Sequence, residues 1–348
     1  MKFLTVTQES LEMGAKTLKE GGLVAFPTET VYGLGADAFN PSALAKIFDV
    51  KKRPRFDPLI IHIASIDSLE NIADFSQIKK ETQKTIFLLA ENFWPGPLSI
   101  VLPKNERIPG IATAGLSTAA IRFPDNEAAQ KLISLSGTAV AAPSANLFGS
   151  LSPTRAEHVR DSLGDKIDMI LDGGPARIGV ESTVLDIAGN KIKILRPGGT
   201  PREAIENLIG PVDGSCIIEQ GAEKFTSPGQ MKSHYAPKTP LYVLKSDDII
   251  RSPYDDTSAF LFFDGLTRNA WCDAQTKTQI LPDAVKVLSE SGQMSEAASC
   301  LFETLHELDN LNVSRIFAQE APQTGLGEAI NDRLMRGAEK NQNMNHSL

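Results

Sequence analysis

Short apolar runs alternate along this chain with stretches of helical periodicity, and that alternation restricts the fold more than any other feature of the sequence. The runs are short enough for buried strands, and the segments between them place apolar residues on one helical face. In the N-terminal part the runs are Leu23–Phe26, Leu59–Ile63, Leu98–Leu102, Ala119–Ile121, Thr138–Ala142, Met169–Leu171, Thr183–Ile187 and Ile192–Leu195. This pattern predicts an α/β fold with a mixed sheet.

Helix signals define the elements before the first group of basic residues. The periodicity predicts a helix over Gln8–Glu20. Asn40 and Pro41 suit the cap and the first position of a second helix, which we expect to end at Val50. The basic run Lys51–Arg55 then follows on a predicted loop, where its charges suit phosphate groups.

Several polar segments follow predicted strands and are candidates for a ligand rim. Thr28–Gly35 reads as a polar, Gly-rich loop, and Pro143–Asn146 follows Thr138–Ala142, which we expect to be a parallel strand. Each segment, like the basic run, is explained as well by ordinary turns and solvated loops. His62, which ends a strand, is more often a core residue than a ligand.

The second half of the sequence predicts a separate small domain. Regular periodicity fades over residues 211–240, which we interpret as a linker between a catalytic domain, 1–210, and a C-terminal domain, 241–340. Residues 341–348 read as a polar tail. Beyond the linker we predict strands at Leu241–Leu244, Ala259–Phe263 and Arg315–Gln319, and helices at Met294–Leu308 and Glu328–Glu339. This domain is predicted to be Rossmann-like.

Charge and apolar content exclude several classes of protein. The formal net charge of −8 argues against tight binding along a nucleic-acid backbone. No apolar run reaches the length of a membrane span and no signal peptide is apparent, so we expect a cytoplasmic protein. Cys216, Cys272 and Cys300 form no zinc motif and are predicted to be reduced. P-loop and α/β-hydrolase motifs are also missing from the sequence.

Several motifs occur in an order that resembles the YrdC family. They are PTETVYGL at Pro27–Leu34, KKRP at Lys51–Pro54, WPGPL at Trp94–Leu98, PSAN at Pro143–Asn146, SPT at Ser152–Thr154, GVESTV at Gly179–Val184 and ILRPG at Ile194–Gly198. The segments Ser227–Pro237 and Gly325–Arg333 look like the longer, two-domain branch of that family. The resemblance therefore covers nearly the whole chain.

This resemblance implies a fold and a reaction. The fold is a YrdC-like twisted mixed sheet with a basic cavity, plus a smaller Rossmann-like domain. The reaction joins L-threonine, bicarbonate and ATP into threonylcarbamoyl-adenylate and pyrophosphate, for later modification of adenosine in tRNA. ATP is then a substrate, expected with Mg²⁺, and neither a tightly bound cofactor nor a protein metal motif is expected. The product would pass to a tRNA threonylcarbamoyl transferase, without stable nucleic-acid or membrane binding by this chain.

Positions that match the family's motifs supply the implied site residues. The catalytic tetrad is Lys51, Arg53, Ser144 and Asn146. The ATP contacts are Arg53, Asp57, Thr118, Ser144, Ser152, Arg196, His234 and Tyr235, the last pair on a linker that folds over the cavity. The threonine contacts are Thr30, His62, Arg122, Ser182 and the backbone of Ala142. Asp57 stands where many relatives carry Asn, and its carboxylate would repel triphosphate unless it binds Mg²⁺ or turns outward.

Two alternative functions stay open at this point. A carbamoyltransferase that uses carbamoyl phosphate would share the YrdC-like domain, but it usually needs acylphosphatase and zinc-finger modules that this sequence does not contain. An RNA-binding or ribosome-associated factor would use the basic cavity without chemistry. The acidic charge and an aromatic content of 6% argue against that factor.

Overall fold

A computed structural model describes residues 1–189, 191–214, 234–253, 255–275 and 282–345 of the chain, which form two compact units. The first unit takes the described residues of Met1–Phe148, Ser152–Arg177 and Glu181–Gln230, and the second takes those of Gly149–Leu151, Ile178–Val180 and Met231–Leu348. The short segments 149–151 and 178–180 therefore belong to the second unit, although the sequence around them belongs to the first. Residues 215–233 of the predicted linker, with Cys216, lie outside the described part, and the predicted domain limits stay a prediction.

The first unit is built on a large mixed sheet. Its strands are β1 (Lys2–Thr5), β2 (Val24–Phe26), β3 (Gly33–Asp37), β4 (Ile60–His62), β5 (Leu98–Pro103), β6 (Thr118–Arg122), β7 (Val140–Ala141), β8 (Met169–Asp172), β9 (Thr183–Asp186) and β10 (Lys193–Arg196). They hydrogen-bond in the order β1-β8-β2-β3-β7-β4-β6-β5-β9-β10. The pairs β1/β8, β2/β8, β4/β6 and β5/β9 are parallel and the others antiparallel. The predicted mixed α/β fold is confirmed.

Helices and apolar side chains cover the two faces of this sheet. The helices are α1 (Gln8–Lys19), α2 (Pro41–Lys51), α3 (Lys80–Phe93), α4 (Glu127–Ser136), α5 (Ala156–Leu163) and α6 (Arg202–Ile209). On one face α1 packs against α4 over β2 and β8, with Leu18 and Leu132 in the core. Ile61 belongs to the larger core on the opposite face, which contains α2 and α3 side chains. Because side chains alternate along a strand, Ile60 lies on the α1/α4 face.

The segment Thr28–Gly35 is only partly the loop that its glycines predict. Strand β3 begins at Gly33 and pairs with β2, so the turn is confined to the residues before it. A Cβ atom at Gly35 would lie 2.8 Å from ring carbon Cε1 of Phe26 and 2.8 Å from Cγ1 of Val140. Gly35 therefore permits a close approach within the sheet, which a turn-based interpretation of glycine overlooks.

Two further local predictions are corrected. Strand β7 is antiparallel to both neighbours, β3 and β4, so Pro143–Asn146 does not follow a parallel strand. Helix α2 continues through Lys51, so the basic run starts inside the helix and enters the loop at Lys52, which has a left-handed φ of 52°. The helix cap at Asn40 is confirmed, since Oδ1 of Asn40 accepts hydrogen bonds from the amides of Ser42 and Ala43.

The second unit is a smaller parallel sheet with helices, as predicted. Its elements are β11 (Leu241–Leu244), α7 (Ser246–Arg251), β12 (Ser258–Asp264), α8 (Gly265–Ala274), β13 (Val285–Ser289), α9 (Met294–Asp309), β14 (Arg315–Gln319) and α10 (Gly327–Asn345). The strand order is β11-β14-β12-β13 with every pair parallel. Helix α10 extends to Asn345 and so includes residues 341–345 of the predicted polar tail.

A cavity of about 400 Å³ lies at the carboxyl ends of β11, β12 and β14. Buried Gln319 joins these ends, because its Oε1 accepts from the amide of Phe263 while its Nε2 donates to Asp264 and Ser246. These polar groups satisfy one another and hold the strand ends together.

Within the described ranges, no helix is both long and apolar enough to cross a bilayer.

Candidate active site

Lys51 joins two of the segments that the motifs predict to meet. From the last position of α2, its Nζ donates hydrogen bonds to the carbonyl oxygens of Ser144, at 2.6 Å, and Asn146, at 2.5 Å. Burial, followed by the charge of Arg53, holds the pKa of Lys51 well below its usual range. Lys51 therefore fixes the loop that carries two other members of the predicted tetrad.

Arg53 and Asp57 form a buried ion pair beside Lys51. Nη2 of Arg53 lies 2.9 Å from Oδ2 of Asp57, and the guanidinium also donates to the carbonyls of Asp57, at 3.1 Å, and Pro58, at 2.8 Å. Asp57 is 1% exposed, so it does not turn outward. Burial raises the pKa of Asp57, and the charges of Arg53, Lys51 and Arg196 oppose that rise.

A third group surrounds Ser182. Arg196 donates through Nε and Nη2 to the carbonyl oxygen of Ser182, at 3.1 and 2.8 Å, and Nη2 also reaches its Oγ at 3.1 Å. The hydroxyl of Ser182 is 2.8 Å from that of Ser99 on β5. Nearby in the sequence, Glu181 accepts a hydrogen bond through Oε1 from the hydroxyl of Ser152. Ser152 and Ser182, one a predicted ATP contact and the other a threonine contact, are thus both buried and hydrogen-bonded.

His62 and Arg122 lie side by side at the carboxyl ends of two parallel strands. They are direct register partners on β4 and β6. Burial, and then the charge of Arg122, lower the pKa of His62 to about 3, so its imidazole is neutral at neutral pH. Its Nδ1 has no hydrogen-bond partner among the described residues.

Arg122 also contacts a carboxylate that is not among the predicted residues. Its Nη2 is 2.5 Å from Oε1 of Glu29, and its Nε donates to the carbonyl of Gly96 at 3.3 Å. Glu29 directly precedes Thr30, which is fully buried; the hydroxyl of Thr28 accepts the amide hydrogen of Thr30 at 3.2 Å. Glu29 and Glu181 both belong to motifs quoted in the sequence analysis, but no role was assigned to them there.

The strand pair β4/β6 spaces these groups along one sheet face. Thr118, Ala120 and Arg122 alternate onto that face of β6, and Ile60 and His62 onto that of β4. A small apolar cluster of Ile60, Val101, Ala120 and Val184 lies between the two ends. Because a strand rises about 3.3 Å per residue, Thr118 and Arg122 are separated by about 13 Å.

The remaining predicted residues have different surroundings. The amide of Ala142 donates to the carbonyl of Ile60, next to the strand pair. Tyr235 belongs to the second unit, where its side chain is 2% exposed and its φ is 61°. Its ring lies against that of His234, and the guanidinium of Arg333 is 4.9 Å from its ring centre. Tyr235 is therefore a core residue of that unit.

Within the described ranges, no group of three or more His, Cys, Asp or Glu side chains is arranged to hold a metal ion.

Family comparison gives this arrangement its context. Residues 16–198 match the profile of the Sua5, YciO and YrdC family, described as telomere recombination, and residues 200–339 match that of the C-terminal domain of threonylcarbamoyl-AMP synthase. The chain belongs to the Sua5, YciO and YrdC family. The YrdC resemblance and the two-domain architecture are thereby confirmed.

Relatives within the Sua5, YciO and YrdC family extend over nearly the whole chain. A threonylcarbamoyl-AMP synthase from Pyrococcus abyssi is 40% identical over 335 residues, covering 96% of this chain and 95% of the relative. One from Bacillus subtilis is 41% identical over 338 residues, covering 96% and 94%. The chain is thus a nucleotidyltransferase-type enzyme of this family.

Solved structures agree with the family assignment. The crystal structure of P. abyssi Sua5 complexed with L-threonine superposes with a TM-score of 0.82 at 36% identity, covering 97% of this chain and 96% of that one. Escherichia coli YciO, at 20% identity and a TM-score of 0.50, covers 57% of this chain and 96% of its own, and shares the fold.

Proposed function

We propose that the chain synthesises threonylcarbamoyl-AMP and pyrophosphate from L-threonine, bicarbonate and ATP. The observation that carries this proposal is the β4/β6 strand pair, which has Arg122 and His62 at its carboxyl end and Thr118 at its amino end. A distance of about 13 Å over four residues suits two substrates that meet at their reactive ends. The relatives named for this reaction support the same assignment.

The carboxyl end of the strand pair is the proposed threonine site. Arg122 offers a buried guanidinium for the α-carboxylate, and neutral His62 offers a ring nitrogen for the side-chain hydroxyl. Thr30, Ser182 and the backbone of Ala142 complete the set. A neutral imidazole suits this position, because an imidazolium beside Arg122 would place two positive charges together.

The amino end of the strand pair is the proposed ATP site. Arg53 is the charged group beside Asp57, and Lys51 holds the loop of Ser144 and Asn146 in place. Arg196 adds a second guanidinium from the side of Ser182, and its charge also acts on Asp57. Ser152 and Thr118 add hydroxyl groups. The ATP contacts predicted at His234 and Tyr235 stay a prediction, because Tyr235 is buried in the second unit. Arg53 acts by stabilising negative charge that moves toward the leaving pyrophosphate.

The reaction needs no covalent enzyme intermediate. Threonine's amine and bicarbonate give a carbamate with loss of water, and a carbamate oxygen then attacks the α-phosphorus of ATP. The bond between that phosphorus and the α,β-bridging oxygen breaks, and pyrophosphate leaves. The protein's contribution is to orient the two reactants and to exclude water from them.

The residues beside the proposed triphosphate do not fit a protein-held Mg²⁺ site. Asp57 is paired with Arg53, and burial raises the pKa of its carboxyl group. We therefore expect Mg²⁺ to arrive coordinated by ATP. We also propose that the labile adenylate is handed in the cytoplasm to a tRNA threonylcarbamoyl transferase, because the product is consumed by tRNA modification.

Pyrophosphate release from ATP and bicarbonate, with and without L-threonine, tests the proposal. We expect threonine-dependent release in the wild type and a loss of about 100-fold in kcat/KM for Arg53→Ala. Arg55→Ala is the matched control, since Arg55 is exposed on the same loop and should retain activity. Thermal unfolding of each variant separates lost chemistry from lost folding.

Other outcomes point to the alternative functions. Release that does not depend on threonine in folded protein rejects the synthase. Turnover of carbamoyl phosphate would indicate the carbamoyltransferase. A salt-dependent gel shift with tRNA, without turnover, would indicate the RNA-binding factor.

A further inference from the structure

Glu29 is a buried carboxylate with one oxygen engaged and the other unused. Its Oε1 binds Nη2 of Arg122 at 2.5 Å. Its Oε2 is fully buried and accepts no hydrogen bond from any described residue. A buried carboxylate oxygen without a donor costs free energy, so a site that keeps one is suited to a donor from a ligand.

The position of this oxygen is set by its partner. Arg122 lies at the proposed threonine end of β6, opposite His62 on β4. In an α-amino acid the carboxylate and the ammonium group are attached to the same carbon atom. A ligand that binds Arg122 through its carboxylate therefore brings its ammonium group close to Glu29, which is also bound to Arg122.

Charge balance favours the same arrangement. Glu29 and Arg122 form a pair with no net charge, and both are almost completely buried, at 2% and 4% exposure. An amino acid zwitterion also has no net charge. When the zwitterion binds, its carboxylate faces Arg122 and its ammonium group faces Glu29, so no buried charge is left unpaired.

Resting on the proposed function, we infer that Glu29 binds the α-ammonium group of L-threonine through Oε2, while Arg122 binds its carboxylate. Glu29 is thus the residue that selects an α-amino acid over a carboxylate that lacks the amino group. Conversion of the ammonium group to a carbamate removes the positive charge that Glu29 holds. The interaction is strongest with the substrate before carbamoylation.

Direct binding to the full chain, without ATP, tests this inference. Titration calorimetry would compare L-threonine with (R)-3-hydroxybutyrate, which is the same molecule without its amino group. We expect Glu29→Gln to weaken threonine binding about 10- to 100-fold, the range for a hydrogen bond to a charged group, and to change hydroxybutyrate binding less than about 3-fold. Glu29→Asp, which keeps the charge, should retain part of the preference.

A purely structural role gives a different result. If Glu29 only positions Arg122, both ligands lose affinity equally in Glu29→Gln, and the inference is overturned. Asp332→Asn is the matched control, because Asp332 is a buried carboxylate that pairs with Arg336 in the second unit and should leave the ratio of the two affinities unchanged. If Glu29→Gln does not fold, equal binding of both ligands by the wild type overturns the inference instead.

The inference and the proposed function fail in distinguishable ways. Threonine-dependent pyrophosphate release by the wild type, together with an unchanged ligand ratio in Glu29→Gln, contradicts only the role of Glu29. Absence of threonine binding and of threonine-dependent release in the wild type contradicts both.

Discussion

Asp57 places a carboxylate among the positive side chains that we assign to ATP. Because it is buried 2.9 Å from Arg53, it competes with phosphate for that guanidinium. We expect Asp57→Asn to lower the KM for ATP about 3-fold to 10-fold, since the repulsion of phosphate disappears and Arg53 is released. Steady-state kinetics over a range of Mg²⁺ concentrations measures the effect. A higher KM that excess Mg²⁺ restores would instead show that Asp57 holds the metal.

His62 makes the stability of the first unit depend on pH. Its pKa is lowered to about 3 in the folded protein, against 6.5 in the unfolded chain, so below pH 6.5 the unfolded state binds a proton that the folded state does not. Stability is therefore lost as pH falls through this window. Between pH 7 and pH 5 the loss from this residue is about 2 kcal/mol.

Urea unfolding at the two pH values would measure that loss. His62→Gln should show a smaller decrease than the wild type, because glutamine has no proton to gain. Contributions from other groups are common to both proteins and cancel in the comparison. Equal decreases in the two proteins would mean that His62 is protonated in the folded state.

Residue-level prediction succeeded where a motif has a chemical reason that the sequence displays. The helix cap at Asn40 follows from its side chain and the adjacent proline, and the structure confirms it. Glu29 could not be singled out, because its importance depends on Arg122, which lies far away in the sequence and contacts it only after folding. A pair of this kind has no local signal.

Helix α2 carries the tetrad lysine at its last position, so its first turn affects the site indirectly. Oδ1 of Asn40 caps the helix by accepting from the amides of Ser42, at 3.0 Å, and Ala43, at 3.2 Å. We expect Asn40→Ala to reduce the free energy of unfolding by about 1 kcal/mol in urea titrations. Ser42→Ala, at an exposed position in the same turn, should change it by less than about 0.5 kcal/mol. Equal values for the two variants would contradict a capping role.

Strands were predicted well where apolar residues follow one another and poorly where glycine or polar residues interrupt them. All eight N-terminal runs correspond to strands, yet β1, β3 and β13 were missed. Strand β3 reads GLGAD, a composition that signals a turn, and it is a strand because its neighbours need the space that glycine leaves. The direction of strand β7 could not be predicted either. It is antiparallel to β3 and β4 because of the chain topology, which the few residues of β7 do not encode.

Two short segments of the N-terminal sequence belong to the C-terminal unit, and one of them offers a sharp test. At Gly179 a Cβ atom would lie 2.3 Å from the carbonyl oxygen of Ala298, and φ is +77°. Gly174 has nearly the same φ, +78°, but a Cβ there would meet nothing within 4 Å. Alanine at either site incurs the backbone cost of about 1–2 kcal/mol, and at Gly179 it adds a clash with backbone atoms.

Gly179→Ala should therefore be clearly less stable than Gly174→Ala in thermal unfolding. Because Gly179 lies three residues before Ser182 of the proposed threonine site, the threonine-dependent activity of Gly179→Ala should fall further as well. If the two variants behave alike, the segment 178–180 is not held against α9 as the structure describes.

Strand β1 lies at the edge of the large sheet, where Lys2 pairs with Met169 on β8. During translation the ribosome therefore makes one member of this pair long before the other. At about 5–20 residues per second, the first strand waits on the order of ten seconds for its partner. Strand β2, on the other side of β8, waits for the same strand, since Val24 also pairs with Met169. Strand β1 therefore enters the sheet late although it precedes β8 in the sequence, and the sheet of the first unit is completed only after β8 has been translated.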